Sequence, residues 1–205
     1  YFRSRSASIV VGSAIEEKDV SCGCSQGASN SPGMWNALFD EVLRLLLPPG
    51  CRLWALADDL SLGAEADSVE ELERIVNESL EIIAQWGRTV KLQFNERKTT
   101  VMPVRFGHNR FSPVIKMHGV QLELVESFKY LGVYLDSKLT WRRHMKYLKE
   151  KLNGVYCAFS RIAKNMFGIR SNVCRDVYRM AVEPALLYAV QVWGPVCGRV
   201  WAVKD

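Results

Sequence analysis

Ala57-Asp58-Asp59-Leu60 places two adjacent carboxylates inside an apolar run, with Cys51-Arg52-Leu53-Trp54-Ala55-Leu56 before them and Ser61-Leu62 after. Apolar residues on both sides predict two short buried strands joined by a turn that carries the acids. Two ionised carboxylates in such a setting need a cation or hydrogen-bond donors. A divalent metal site meets that need, and paired metals ~3.5–4 Å apart are the usual apparatus of nucleotidyl transfer. An Asp-Asp turn exposed on a hairpin meets it equally, so the dipeptide alone leaves both readings open.

The chain of 205 residues suits one good-sized domain, or one domain with a small appendage, and 48% hydrophobic with 24% charged residues excludes a mainly disordered protein. No apolar stretch reaches the ~18–20 residues that span a bilayer. No signal peptide opens the chain, so an intracellular, non-secreted protein with no membrane partner is expected. Tyr1 stands where a Met would begin a gene, which predicts a fragment of something longer. Cys22, Cys24, Cys51, Cys157, Cys174 and Cys197 form no C-x-x-C pair and sit in apolar segments, so reduced core thiols are expected. His108, His118 and His144 are far apart and carry no metal or triad signature.

The net charge of +5 is unevenly spread. Residues 57–81 hold nine carboxylates against Arg74 alone, whereas residues 142–164 hold seven cations against Glu150 alone. The second stretch is a candidate for a polyanion, with a solvated helix face as the plainer account.

Local patterns set out the order of elements. Residues 3–11 and 16–21 read as a hairpin turning at Gly12-Ser13, and a Gly/Ser-rich loop follows through Asn30. Ser31 as N-cap with Pro32 at the first helical position predicts a helix to about Leu46, stopped by Pro48-Pro49-Gly50. Ser68 and Glu71 have capping-box spacing ahead of an apolar stripe of Val69, Leu72, Ile75, Val76, Ile83 and Trp86. Strands are expected at 99–105, 114–117, 121–124 and 128–135, with Gly107 and Gly119 in turns. Trp141, Met145, Leu148, Leu152, Val155, Phe159 and Ile162 then step at helical spacing, and shorter helices are expected from Ser171 to Val182 and from Pro184 to Trp193.

Four ordered pieces carry a resemblance: the Ser25-Gln26-Gly27 loop opening a helix, the Asp58-Asp59 hairpin, Asn95-Glu96-Arg97-Lys98-Thr99 after an amphipathic helix, and Phe128-Lys129-Tyr130-Leu131-Gly132-Val133. In this order they resemble the later half of a reverse transcriptase from a non-LTR, LINE-like type-1 retrotransposon. The similarity is strongest to the arthropod elements that insert into ribosomal DNA. The resemblance implies an α+β fold: the C-terminal part of a palm with its primer-grip hairpin over residues 1–137, a helical thumb over 138–192, and the start of a C-terminal region over 193–205.

It further implies roles for particular residues. Asp58 is a direct ligand of two magnesium ions and Asp59 a supporting one, both shared with an Asp from an earlier strand not in this chain. Gln26 and Gly27 lie beside incoming nucleotide and template, and Lys98 near the triphosphate protonates the leaving pyrophosphate. Tyr130, Leu131 and Gly132 grip the primer terminus. Arg142, Arg143, Lys146 and Lys149 contact nucleic-acid phosphates. Pro184 through Tyr188, and Trp193, are taken as structural. RNA template, DNA primer and deoxynucleoside triphosphates are the implied partners, and the nucleus the implied place of action. Leu56 departs from the family's aromatic residue before the acids, and Ser25 from its usual Pro; neither removes a metal ligand. Catalysis is expected of the longer protein and not of these residues alone. A non-catalytic nucleic-acid-binding derivative, a degenerate copy and an unrelated two-carboxylate phosphoesterase are the alternatives.

Overall fold

In a computed structural model, residues 6–20, 23–24, 27–104, 111–165 and 171–201 are described. In chain order the elements are β1 (Ser6–Val11), β2 (Ala14–Asp19), α1 (Ser31–Leu43), β3 (Cys51–Leu56), β4 (Asp59–Ala64) and α2 (Val69–Val90). Then come β5 (Thr100–Val101), β6 (Lys116–Met117), β7 (Val120–Gln121), β8 (Glu123–Leu124), β9 (Ser127–Tyr130) and β10 (Val133–Asp136). The helices α3 (Arg142–Asn165), α4 (Ser171–Val177), a π-helical turn (Tyr178–Val182), α5 (Glu183–Leu187) and α6 (Val190–Trp201) complete the chain. Helices mixed with small two-stranded sheets, antiparallel except for the parallel β5–β8 pair, make this an α+β protein. Two units pack separately: residues 1–96 with 114–121, and residues 97–113 with 122–205.

In the first unit, the β3–β4 ladder pairs Leu53 with Leu62 and Ala55 with Leu60, and this face is partly buried against α1 and α2. Arg52, Trp54 and Leu56 alternate to the other, exposed face. These strands are therefore half-buried rather than wholly buried, as expected of a hairpin with helices on one side only. Phe39, Val42, Ile83 and Trp86 form the core cluster, with Trp35, Leu53, Ala55, Leu60, Leu92 and Phe94 packed around it. Phe39 meets Trp86 edge to face at 6.1 Å.

The cap of α2 forms as its sequence predicts: the Ser68 hydroxyl accepts from the Glu71 N–H at 3.1 Å. For α1 the cap position is Asn30, not Ser31, and the helix stops at Leu43, three residues before Leu46. The Arg44 N–H turns back to Glu41 and Val42, ending the helix well ahead of the prolines. Gly50 is required at the base of the hairpin, because a Cβ there would lie 2.5 Å from the Glu65 carbonyl oxygen.

The expected strand over 114–117 contracts to Lys116–Met117 for an identifiable reason. Glu73 Oε1 accepts from the Val114 N–H at 2.7 Å, and the Asn77 amide donates to Val114 O and accepts from the Lys116 N–H. Side chains of α2 thus stand in for a neighbouring strand. Ile115 and Met117 are buried.

In the second unit the run expected as one strand over 128–135 folds into the β9–β10 hairpin, turning at Leu131-Gly132. The strand expected over 99–105 is ordered as β5 for two residues only, with Arg105 and Gly107 outside the described residues. Asp136 connects the hairpin to α3: Oδ1 accepts from the N–H groups of Lys138 and Thr140, and Oδ2 from that of Trp141 at 2.8 Å. The apolar seam of α3 buries Leu148 and half-buries Met145, Leu152, Val155 and Phe159. The described thiols are free, but Cys24, Cys157 and Cys174 are exposed, which corrects their reading as core residues. Among the described residues no helix is long and apolar enough to cross a membrane.

Candidate active site

Leu56 pairs with Asp59, so the β3–β4 turn consists of Ala57 and Asp58 alone. Ala57 adopts a positive φ of 53°. A residue with a Cβ pays ~1–2 kcal/mol for that conformation, and the compensation is visible. Trp35 Nε1 donates to the Ala57 carbonyl oxygen at 2.6 Å. Trp35 in turn stacks on Phe39 at 4.5 Å, so the strained tip is tied through α1 to the core.

Asp58 and Asp59 are both exposed at this tip. The premise of two charges buried side by side is thereby corrected: solvent reaches both, and no burial cost has to be offset. Strand alternation puts Asp59 on the exposed face with Leu56, Trp54 and Ser61. Trp54 lies across this face where Gly63 leaves room, since a Cβ on Gly63 would come within 2.6 Å of the indole. Two hard oxygen donors on a rigid tip suit a magnesium-like cation. Among the described residues no three His, Cys, Asp or Glu side chains gather as a metal group.

The remaining predicted residues divide between the units. Gly27 lies in the first and has φ 83°, a conformation suited to glycine, while Gln26 lies outside the described residues. Lys98 lies in the second, exposed in the turn over 96–98 that precedes β5. Tyr130 ends β9, and Leu131 and Gly132 form the β9–β10 turn, with positive φ at Leu131 (46°) and Gly132 (86°), as a two-residue hairpin demands. Arg142, Arg143, Lys146 and Lys149 are exposed along the start of α3. Lys146 faces Glu150 at 3.9 Å, and the Arg143 guanidinium lies 5.4 Å from the centre of the Tyr134 ring.

Several contacts around these residues carry no signal in the sequence. The Tyr188 hydroxyl donates to Leu131 O at 2.6 Å, and its ring leaves no space for a Cβ on Gly132. Lys129 Nζ sits 4.9 Å from the centre of the Tyr147 ring, adding a cation beside Arg143 and Tyr134. His144 is buried beneath them. Each of these contacts joins segments distant in sequence, so periodicity and spacing do not reveal them.

In chain order, a carboxylate pair on a two-residue hairpin precedes a second hairpin and a basic helix. The profile of the reverse transcriptase (RNA-dependent DNA polymerase) family matches residues 2–135, and the chain belongs to that family. It is 29% identical over 94% of its length to the retrovirus-related Pol polyprotein from type-1 retrotransposable element R1 of Bradysia coprophila, covering 19% of that protein. Identity is again 29%, over 83% of the chain and 43% of the relative, to the Pol polyprotein from type-1 retrotransposable element R1 2 of Nasonia vitripennis. It is 28% over 67% of the chain and 15% of the relative to the RNA-directed DNA polymerase from mobile element jockey of Drosophila funebris. The chain thus spans about a fifth of the first of these relatives. No solved structure matches it.

Proposed function

We propose that the chain forms the metal-binding hairpin, primer grip and thumb of a type-1 retrotransposon polymerase that extends a DNA 3′-hydroxyl on an RNA template. The observation that supports this most is the exposed Asp58-Asp59 pair on a tip held by Trp35. Residues 1–137 serve as the palm portion, 138–192 as the thumb, and 193–205 open a further region. Asp58 and Asp59 would hold two magnesium ions together with a carboxylate from another strand of the longer protein. Such ions, when bound, activate the 3′-hydroxyl and neutralise the departing pyrophosphate.

The chain's own groups do the rest. Asp58 projects from the turn and Asp59 from the adjoining strand, so one rigid tip fixes both carboxylates. Gln26 and Gly27 allow backbone approach to template and nucleotide. Lys98 supplies a proton to the leaving group. The Leu131-Gly132 turn seats the primer strand, and Arg142, Arg143, Lys146 and Lys149 neutralise phosphates without reading sequence. The work takes place in the nucleus.

The test is primer extension on an RNA template by the complete element-encoded protein. Asp58→Ala is expected to abolish magnesium-dependent synthesis while hybrid binding persists. Full synthesis by that variant removes Asp58 from the chemistry. Binding without synthesis by the unaltered protein favours a non-catalytic nucleic-acid-binding role.

A further inference from the structure

Among the described residues His144 is the only ionisable side chain that is fully buried, 1% exposed, and nothing in the proposed chemistry uses it. Its surroundings are specific. In a two-residue hairpin the Tyr130–Val133 pair closes the ladder, and the next pair, Lys129 with Tyr134, turns its peptide groups away from the partner strand. The Tyr134 N–H so released is accepted by His144 Nδ1 at 3.4 Å. An Nδ1 that accepts from a peptide N–H belongs to a neutral ring whose proton sits on Nε2.

Nε2 is itself buried without a partner. The imidazole stacks near Tyr147 at 6.2 Å and lies 5.8 Å from the Trp193 ring. It lines a pocket of about 190 Å³ with Gly132, Leu148, Lys151 and Tyr188. One ring therefore meets β10, its own helix α3 and α6, and shares its pocket with Tyr188.

We infer that His144 is a positioning residue: as a neutral imidazole it pins β10 to α3 and so fixes where the Leu131-Gly132 turn stands for a nucleic-acid strand. The role rests on the polymerase reading above. Protonation converts Nδ1 from acceptor to donor and sets it against the Tyr134 N–H, so the pin fails in acid. Nearby groups add to that failure. Among the described residues Lys151 lines the same pocket, Lys129 lies against the Tyr147 ring and Arg143 against the Tyr134 ring, and all three are cations. Of the carboxylates on these elements, Asp136 is engaged by the N–H groups of the β10–α3 connection, Glu150 faces Lys146, and Glu183 opens α5; none pairs with the imidazole. Burial also depresses the His144 pKa, in keeping with a neutral ring.

Amide hydrogen exchange at Tyr134, corrected for intrinsic pH dependence, reads the pin directly in the 205-residue chain. Anisotropy of a labelled RNA–DNA hybrid reads its consequence. At pH 7.5 the Tyr134 amide is expected to be protected, and about tenfold less so at pH 5.5 or in His144→Phe, which keeps an apolar ring but accepts nothing. His144→Asn keeps an acceptor at the Nδ1 position and does not titrate. It should retain protection at both pH values, together with a hybrid affinity that no longer weakens in acid.

Unchanged Tyr134 protection in His144→Phe, or the same acid loss in His144→Asn, overturns the inference whatever the hybrid does. A chain that protects Tyr134 as expected yet binds no hybrid at pH 7.5 sinks the link between the pin and nucleic acid. The pinning contact itself then stands.

Discussion

The indole N–H of Trp35 meets the carbonyl oxygen of Ala57 across 2.6 Å, joining the start of α1 to the tip of the β3–β4 hairpin. The contact holds the one residue of that turn whose backbone is in the left-handed region. Trp35→Phe keeps the ring packed on Phe39 and removes only the donor. Stability in urea should fall by about 1 kcal/mol. In the complete polymerase, extension should slow by about tenfold with little change in primer affinity, because a displaced carboxylate tip affects the reacting geometry.

Asp136 provides a second test. Three peptide N–H groups and the Thr140 hydroxyl converge on its carboxylate. Asp136→Ala should cost about 2–3 kcal/mol, measured by denaturant unfolding. Asp136→Asn retains one acceptor oxygen and should lose about half as much.

At Gly132 two constraints act together: a φ of 86°, and a Tyr188 ring that would lie 2.9 Å from an alanine Cβ at this position. Gly132→Ala should destabilise by about 1–3 kcal/mol. Combining it with Tyr188→Ala relieves the steric part and leaves the backbone strain, so the two losses should not add. Full additivity in that double-mutant cycle would show that the ring and the turn do not touch.

The depressed His144 pKa has a signed consequence for stability. Below its ordinary value of 6.5 the unfolded chain takes up a proton that the folded chain refuses. The contribution is therefore fully present above that value and is lost as pH falls through the window beneath it. Urea midpoints should drop from pH 7.5 to pH 5.5 in the native chain, and His144→Asn should remove that part of the slope.

On the proposed function, Arg142→Ala should weaken hybrid binding equally for all sequences. It should lower the slope of log affinity against log salt by about 1. A sequence-dependent loss would assign Arg142 to base contacts instead.

What could be read from the chain was what depends on neighbours in sequence. Ser68 and Glu71 cap α2 because three-residue spacing brings hydroxyl and N–H together in any helix. Gly12-Ser13 turns because a glycine with positive φ belongs to a tight hairpin, whereas strand propensity over 128–135 hides the turn at Leu131-Gly132. The α3 seam follows from its four-and-three stepping. Tertiary substitutions defeated the same logic. Val114 and Lys116 bond to Glu73 and Asn77 rather than to a strand, so strand propensity overstates β6. The acids are exposed because their strands are covered on one face only, which no local pattern encodes. Trp35, Tyr188 and His144 read as ordinary core or terminal residues until the fold brings Ala57, Leu131 and Tyr134 to them.

The two-residue turn at Ala57-Asp58 carries a consequence for how the hairpin can vary. Strand parity is shared by both arms, so Asp59 faces solvent only while Leu60 and Leu62 face inward. Sliding the acids along the ribbon by one residue would turn the leucines out and the outward residues in. The oily face thus acts as an address for the acidic tip, and drift among outward positions such as Leu56 leaves that address intact.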